Sequence, residues 1–138
     1  MKKNQKVLCT VLVMCMFIGT MIGNASAANI DDPVIQPQYT GISSLQVSLD
    51  ITSSGYAECY AFVRPNSGYS VDLTMELQQD GTAIKTWTDS NDVAFALEKG
   101  RYVASGHEYQ VIVNADIRNS SGIIISTATA KSQIVDFK

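Results

Sequence analysis

Histidine occurs once in this chain, at position 107, and tryptophan once, at position 87. One imidazole makes no HExxH segment and no histidine pair, so no zinc ligand set can be drawn from the sequence. No metal and no cofactor are expected. Cysteine is nearly as scarce: Cys9 and Cys15 stand in an apolar amino-terminal segment, which leaves Cys59 alone in the remainder. A single thiol closes no internal disulfide, so the domain must be stable through packing. An excess of positive charge is also missing. Beyond residue 27 there are 7 basic and 13 acidic residues, a formal charge of 7 − 13 = −6. Such a balance offers no electrostatic footprint for nucleic acid or anionic lipid. After residue 27 there is no convincing helical stripe, no low-complexity tract and no repeat of about twenty to fifty residues.

What is present begins with an address. Lys2, Lys3 and Lys6 precede an apolar run from Val7 to Ile22, and "GNASAANI" follows with Ala25 and Ala27 at the −3 and −1 positions of a cut after Ala27. This is the pattern of a cleaved helical secretory signal, residues 1–27. The alternative, a retained membrane anchor, is disfavoured because the apolar stretch is short for a span. Export implies a secreted protein, extracellular or loosely held at the cell surface, with no membrane span in the mature chain. Residues 28–40, with Pro33 and Pro37, read as an extended leader. Residues 41–138 leave room for one domain with one core.

That domain alternates with period two. Leu45, Val47, Leu49 and Ile51 share one face of a first strand, and "SSG" turns the chain into a second strand around Cys59. There Ala57, Cys59, Ala61 and Val63 take one face while Tyr56, Glu58, Tyr60 and Phe62 take the other. Tyr69 to Gln78 forms a third strand, and the aspartate–glycine pair at Asp80 and Gly81 is a hairpin signal. Two shorter strands are expected around Ala83–Thr88 and Val93–Leu97, separated by a "DSND" turn and followed by a long turn over "EKGRYVASGH". Tyr109 to Ile117 and Ile123 to Ala130 complete about seven strands, and the tail "QIVDFK" either prolongs the last strand or frays. The expected fold is all-β, a single immunoglobulin-like β-sandwich of antiparallel strands.

"SGHEYQVIV" raises the question of chemistry against architecture. A tyrosine entering the sixth strand three residues after a glycine has the spacing of a tyrosine corner, with Gly106 making the turn and Tyr109 pinning the crossing between sheets. His107 then falls in an exposed turn. A catalytic histidine would need a nucleophile and an orienting carboxylate within reach, and the nearest serines stand in ordinary turns. Cys59 reads as a small buried hydrophobe rather than a nucleophile. "DSND" could offer oxygens to calcium, but Asp and Asn favour turns for the bonds they make to their own backbone. The sequon at Asn119 and Ser121 is explained equally well as a turn. Four aromatic residues are candidate ligand contacts: Tyr56, Tyr60 and Phe62 as a row on one strand face, and Trp87. The competing reading packs them across neighbouring strands or beneath the leader.

"SLQVSLDITSSGYAECYAFV", "LTMELQQDGTAIKTW" and "SGHEYQVIVNADI" carry a resemblance to small secreted proteins of Gram-positive, gut-type bacteria, in which a signal peptide and a proline-containing leader precede one immunoglobulin-like or fibronectin-III-like sandwich. That group has no established active site, so the resemblance implies a fold and transfers no functional residue. The chain departs from antibody domains in lacking the paired cysteines and in placing its tryptophan late. The expected function is a non-catalytic exported interaction or structural domain with a protein, cell-wall or polysaccharide partner. A carbohydrate-binding module using Tyr56, Tyr60, Phe62 or Trp87 is the alternative, and strand-exchange self-assembly through residues 28–40 a third reading.

Overall fold

A computed structural model of the chain describes residues 39–138; the expected signal peptide and residues 28–38 of the leader lie outside the described residues. The elements are β1 (Ile42–Ile51), β2 (Tyr56–Pro65), β3 (Ser70–Gln79), β4 (Thr82–Asn91), β5 (Phe95–Tyr102), β6 (His107–Arg118), β7 (Ile124–Lys131) and β8 (Val135–Phe137). Among the described residues there is no helix, and hence none long and apolar enough to cross a membrane.

All pairings are antiparallel. One sheet has the order β1-β2-β5; the other runs β4-β3-β6-β7, with β8 also paired to β6. The two sheets share one core. Leu45, Leu49, Ala57, Cys59, Ala61, Val63 and Leu97 enter it from the first, and Val71, Leu73, Met75, Leu77, Tyr109, Val111, Val113, Ala115, Ile117, Ala128 and Ala130 from the second. These positions alternate along each strand, which is how period-two patterning becomes one buried face per sheet. Small side chains on β2 leave depth for the larger ones of β3 and β6, and each fully buried Val, Leu or Ile contributes about 1.5–3 kcal/mol.

The β3–β4 hairpin closes over two residues, Asp80 at φ +50° and Gly81 at φ +81°. Two positive φ values in a two-residue loop match the twist of the flanking strands. On β4 the ladder skips Ile84, since Leu77 pairs with Lys85 but Gln78 with Ala83. The carbonyl of the skipped residue accepts a bond from Arg101 Nη1 at 3.0 Å, tying β4 to β5 of the other sheet.

Four expectations need correction. The strands number eight, not about seven, because the tail neither prolongs β7 nor frays: Val135–Phe137 pair with His107–Tyr109. Between β7 and β8 the chain breaks at Ser132, whose Oγ accepts the Val111 N–H at 2.9 Å and whose N–H donates to the Val111 carbonyl at 2.9 Å. "DSND" is strand as far as Asn91, paired with β3 through Val71↔Asn91. "EKGRY" is no turn either, since Glu98 to Tyr102 continue β5 against β2. Lys99 and Arg101 occupy the inward register there, but β5 is an edge strand and both are exposed, so their charges meet water and not the core.

Candidate functional site

The two outer faces differ in chemistry. On the β4-β3-β6-β7 sheet, polar side chains bond one another across strands: Thr129 to Asn114 at 2.7 Å, Thr127 to Asp116 at 2.7 Å, and Ser90 and Arg118 to the two oxygens of Asp72 at 2.8 and 2.6 Å. These bonds pair the groups concerned with one another across the strands.

The outer face of the β1-β2-β5 sheet carries the aromatic row. Tyr56, Tyr60 and Phe62 alternate with the buried residues of β2, and each is half-exposed. Tyr56 and Tyr60 are four residues apart, about 13 Å along the strand. The Tyr56 ring meets Tyr102 edge to face at 5.0 Å between centroids, and the Arg64 guanidinium stands 5.9 Å from the centre of the Phe62 ring. Gly100 of β5 makes room for the Tyr56 ring: a Cβ there would stand 2.7 Å from Cζ and Oη and 2.8 Å from the Ala57 carbonyl oxygen.

Carboxylates surround these rings. Asp50 lies directly opposite Glu58, and Glu98 lies opposite Tyr60, diagonal to Glu58. Like charges directly opposite on a sheet are unfavourable. The ion pairs of the described residues, His107–Asp80, Arg118–Asp72 and Lys138–Asp136, leave all three out. An open depression of about 490 Å³ lies between the tyrosines, lined by Asp50, Tyr56, Glu58, Tyr60, Glu98 and Gly100 together with Ser48, Cys59 and Lys99. That volume lies within the range of small-ligand sites. Alternation along β2 places Glu58 beside the tyrosines, while Asp50, Glu98, Gly100 and Tyr102 come to them from β1 and β5. The alternation Glu98, Gly100, Tyr102 was the available signal, hidden by reading "EKGRY" as a turn.

Trp87 does not join this row. It pairs with the buried Met75 and packs against the core from β4, in the other sheet, where it lines a shallow hollow with Lys85, Gly100 and Arg101.

No family model and no curated protein matches the chain.

Tyr109, Gly106, His107 and Cys59 each take a fixed place in the fold. Tyr109 is wholly buried, and its hydroxyl donates to the Ala104 carbonyl at 2.7 Å with the Gln79 side-chain amide 3.3 Å away. This is the bond by which a tyrosine corner fastens the incoming loop. Burial is the main cause that raises its phenol above the ordinary value. Gly106, at φ +86°, turns the chain just before it and donates its N–H to the Phe137 carbonyl at 2.6 Å.

His107 does not sit in an exposed turn. It is the half-buried first residue of β6, and its Nδ1–H donates to Asp80 Oδ2 at 2.6 Å. The other oxygen of Asp80 accepts the Glu108 N–H at 3.0 Å, while the Asp80 N–H donates to the Glu108 carbonyl at 2.8 Å. The Glu108 amide first and the His107 ring second hold the Asp80 carboxyl below its usual range. The β3–β4 hairpin is thereby clamped to the start of β6.

Cys59 is buried on β2, in the opposite sheet from His107, and burial pushes its thiol up to about 11. The side-chain oxygens of Asp89, Asn91 and Asn119 serve neighbouring backbone: Asp89 Oδ1 accepts the Ser90 N–H, Asn91 Oδ1 accepts the Asp92 N–H, and Asn119 Oδ1 accepts the N–H groups of Ser121 and Ile123. Among the described residues no group of three or more His, Cys, Asp or Glu side chains is placed to hold a metal ion.

Proposed function

We propose that this protein is a non-catalytic exported interaction domain of immunoglobulin-like or fibronectin-III-like type, and that it binds its partner through the outer face of the β1-β2-β5 sheet. The carrying observation is the half-exposed row Tyr56–Tyr60–Phe62 on that face, set against an opposite face on which Asp72, Asn114 and Asp116 are bonded to side chains of neighbouring strands. Aromatic rows of this kind supply contact area at low entropic cost.

Strand order supports the assignment of type. β4 is hydrogen-bonded to β3 of the sheet that also holds β6 and β7, the place of the added strand in variable-type sandwiches. The corner tyrosine is the third residue of β6. Val111, two residues on, stands where antibody-type domains carry the second cysteine of their inter-sheet bridge, which leaves Cys59 as a lone packing residue. The burial and high thiol pKa of Cys59 favour a non-catalytic reading, since the sulfur is not poised as a nucleophile. The basic, apolar and small-residue regions of residues 1–27 favour export.

A polysaccharide is the second reading, favoured by the depression between Tyr56 and Tyr60. Its walls offer tyrosine rings for sugar faces, and Ser48, Asp50, Glu58 and Glu98 for sugar hydroxyls.

Co-sedimentation of residues 28–138 with cell walls and insoluble polysaccharides tests both. Saturable pelleting that Tyr60→Ala abolishes and Trp87→Ala leaves intact supports the polysaccharide reading on this face. Capture by wall-associated protein, lost in the same variant, supports a protein partner. Binding that tolerates Tyr60→Ala and Tyr56→Ala removes the face from consideration.

A further inference from the structure

Beyond residue 27 the chain has 7 basic residues against 13 acidic ones, yet three of the seven, Lys85, Lys99 and Arg101, stand on one flank of the sandwich, where the edge strands β4 and β5 adjoin. Their ladder partners Leu77, Cys59 and Ala57 are buried, so all three occupy core-facing register positions. Inward charges on edge strands discourage pairing with another chain. That role does not call for Trp87, which follows Lys85 by two residues on the same face of β4 and is only half-buried. A bulge puts both there. Were the ladder continuous past Gln78↔Ala83, Ile84 and Thr86 would stand opposite Leu77 and Met75; skipping Ile84 gives those places to Lys85 and Trp87. The same bulge turns the Ile84 carbonyl to Arg101 Nη1 at 3.0 Å, which fixes the guanidinium and leaves its other donors free.

We propose that the hollow between β4 and β5 binds an acidic sugar, a pyranose ring bearing a carboxylate, with the ring stacked on Trp87 and the carboxylate held by Lys85 and Arg101. These three side chains and the Gly100 backbone line a hollow of about 380 Å³, within the range of small-ligand sites. Shape and charge select the ligand together. An indole face suits the apolar face of a sugar ring, and a guanidinium takes a carboxylate by two parallel bonds. The ion pairs of the described residues involve neither Lys85 nor Arg101. Asp89, the next inward residue of β4, is engaged with the Ser90 N–H at 2.9 Å. The formal charge of −6 over residues 28–138 narrows the choice further, because a densely charged polyanion is repelled by the rest of the surface. A short uronate glycan brings one charge per ring. This site is separate from the tyrosine row and stands whether or not that row binds a partner.

Trp87 is the only tryptophan of the chain, so its emission reports on this hollow. Titration of residues 28–138 with short oligogalacturonides and with hyaluronan fragments should give a saturable change in that emission. The affinity should fall about tenfold or more in Lys85→Gln, fall with added salt, and stay unchanged in Tyr60→Ala and in Lys131→Gln. Thermal unfolding establishes that the variants fold. Methyl-esterified oligogalacturonides keep the ring and lose the charge, and should bind about tenfold more weakly or worse. Acetate and inorganic phosphate carry charge without the ring, and should leave the emission unchanged where the uronates saturate. No response to either uronate, equal binding of the methyl esters, an equal response to phosphate, or an affinity that tolerates Lys85→Gln overturns the proposal. So does binding lost in Tyr60→Ala, which would place the sugar on the β1-β2-β5 face.

Discussion

The ring of Tyr56 lies across Gly100, with its Cζ and Oη where a side chain at position 100 would begin. The glycine is in the middle of an edge strand, where it weakens the strand and gains nothing by itself. Its value is the ring that covers it. Gly100→Ala must displace both Tyr56 and the Ala57 carbonyl, and the second is backbone that cannot swing away. The expected loss is about 1–3 kcal/mol of stability, as for overpacking in a filled site. Denaturant unfolding measures it. A variant as stable as the wild type would show that β5 shifts freely and that the position of Tyr56 is not fixed by the glycine.

Ser132→Ala should cost about 1–3 kcal/mol, although the side chain removed is small. Its Oγ is the acceptor for the Val111 N–H at the point where β6 exchanges β7 for β8 as partner. Without it a donor in the core strand is buried and unpaired. Ser132→Thr keeps the oxygen and should recover part of the loss. Equal melting temperatures for wild type and Ser132→Ala would refute this role.

Much of the fold could be read from the sequence, and the rest fails for a common reason. β3 and β6 are legible because each lies inside a sheet with one face fully buried, so every second residue must be apolar. The Asp80–Gly81 turn and Tyr109 are legible because their demands are local. β5 beyond Leu97 is not, since an edge strand tolerates Lys99 and Arg101 at inward register positions. β8 has three residues, too few to show a period. Glu58 is legible on β2 itself, but Asp50 and Glu98 reach the tyrosines through the register of β1 and β5 against β2, and alternation fixes a face only within its own strand.

Acid should loosen the carboxylate clamps. Asp80 is held below its usual range by the Glu108 amide and then the His107 ring, and Asp72 by its bond to Arg118 and then that to Ser90. A folded pKa below the unfolded one means that the stabilisation is present above the unfolded carboxylate value and is lost as pH falls through the folded one. The melting temperature should therefore decline on acidification below the ordinary carboxylate range, and Asp72→Asn/Asp80→Asn should flatten that decline. Asp80 is exposed and Asp72 partly so, so the effect should be small and reduced by salt. A double variant that keeps the full acid slope assigns it to other groups.

Cys59 should be almost inert while the protein is folded. Two effects act together: the thiol is buried in the core of the β1-β2-β5 sheet, and the same burial raises its pKa to about 11, so little thiolate exists near neutrality. Thiol-specific alkylation in mild alkali should then proceed at the rate of unfolding or local opening, and denaturant should accelerate it until it matches a free cysteine. Because the folded pKa is the higher one, stability is fully present below the unfolded thiol value and declines as pH rises from there toward about 11. Cys59→Ala removes this alkaline decline at the expense of a small cavity, and Cys59→Ser keeps the volume but buries a hydroxyl that must find an acceptor. Rapid alkylation of the folded protein, at a rate insensitive to denaturant, would place the sulfur at the surface and return it to the list of reactive groups.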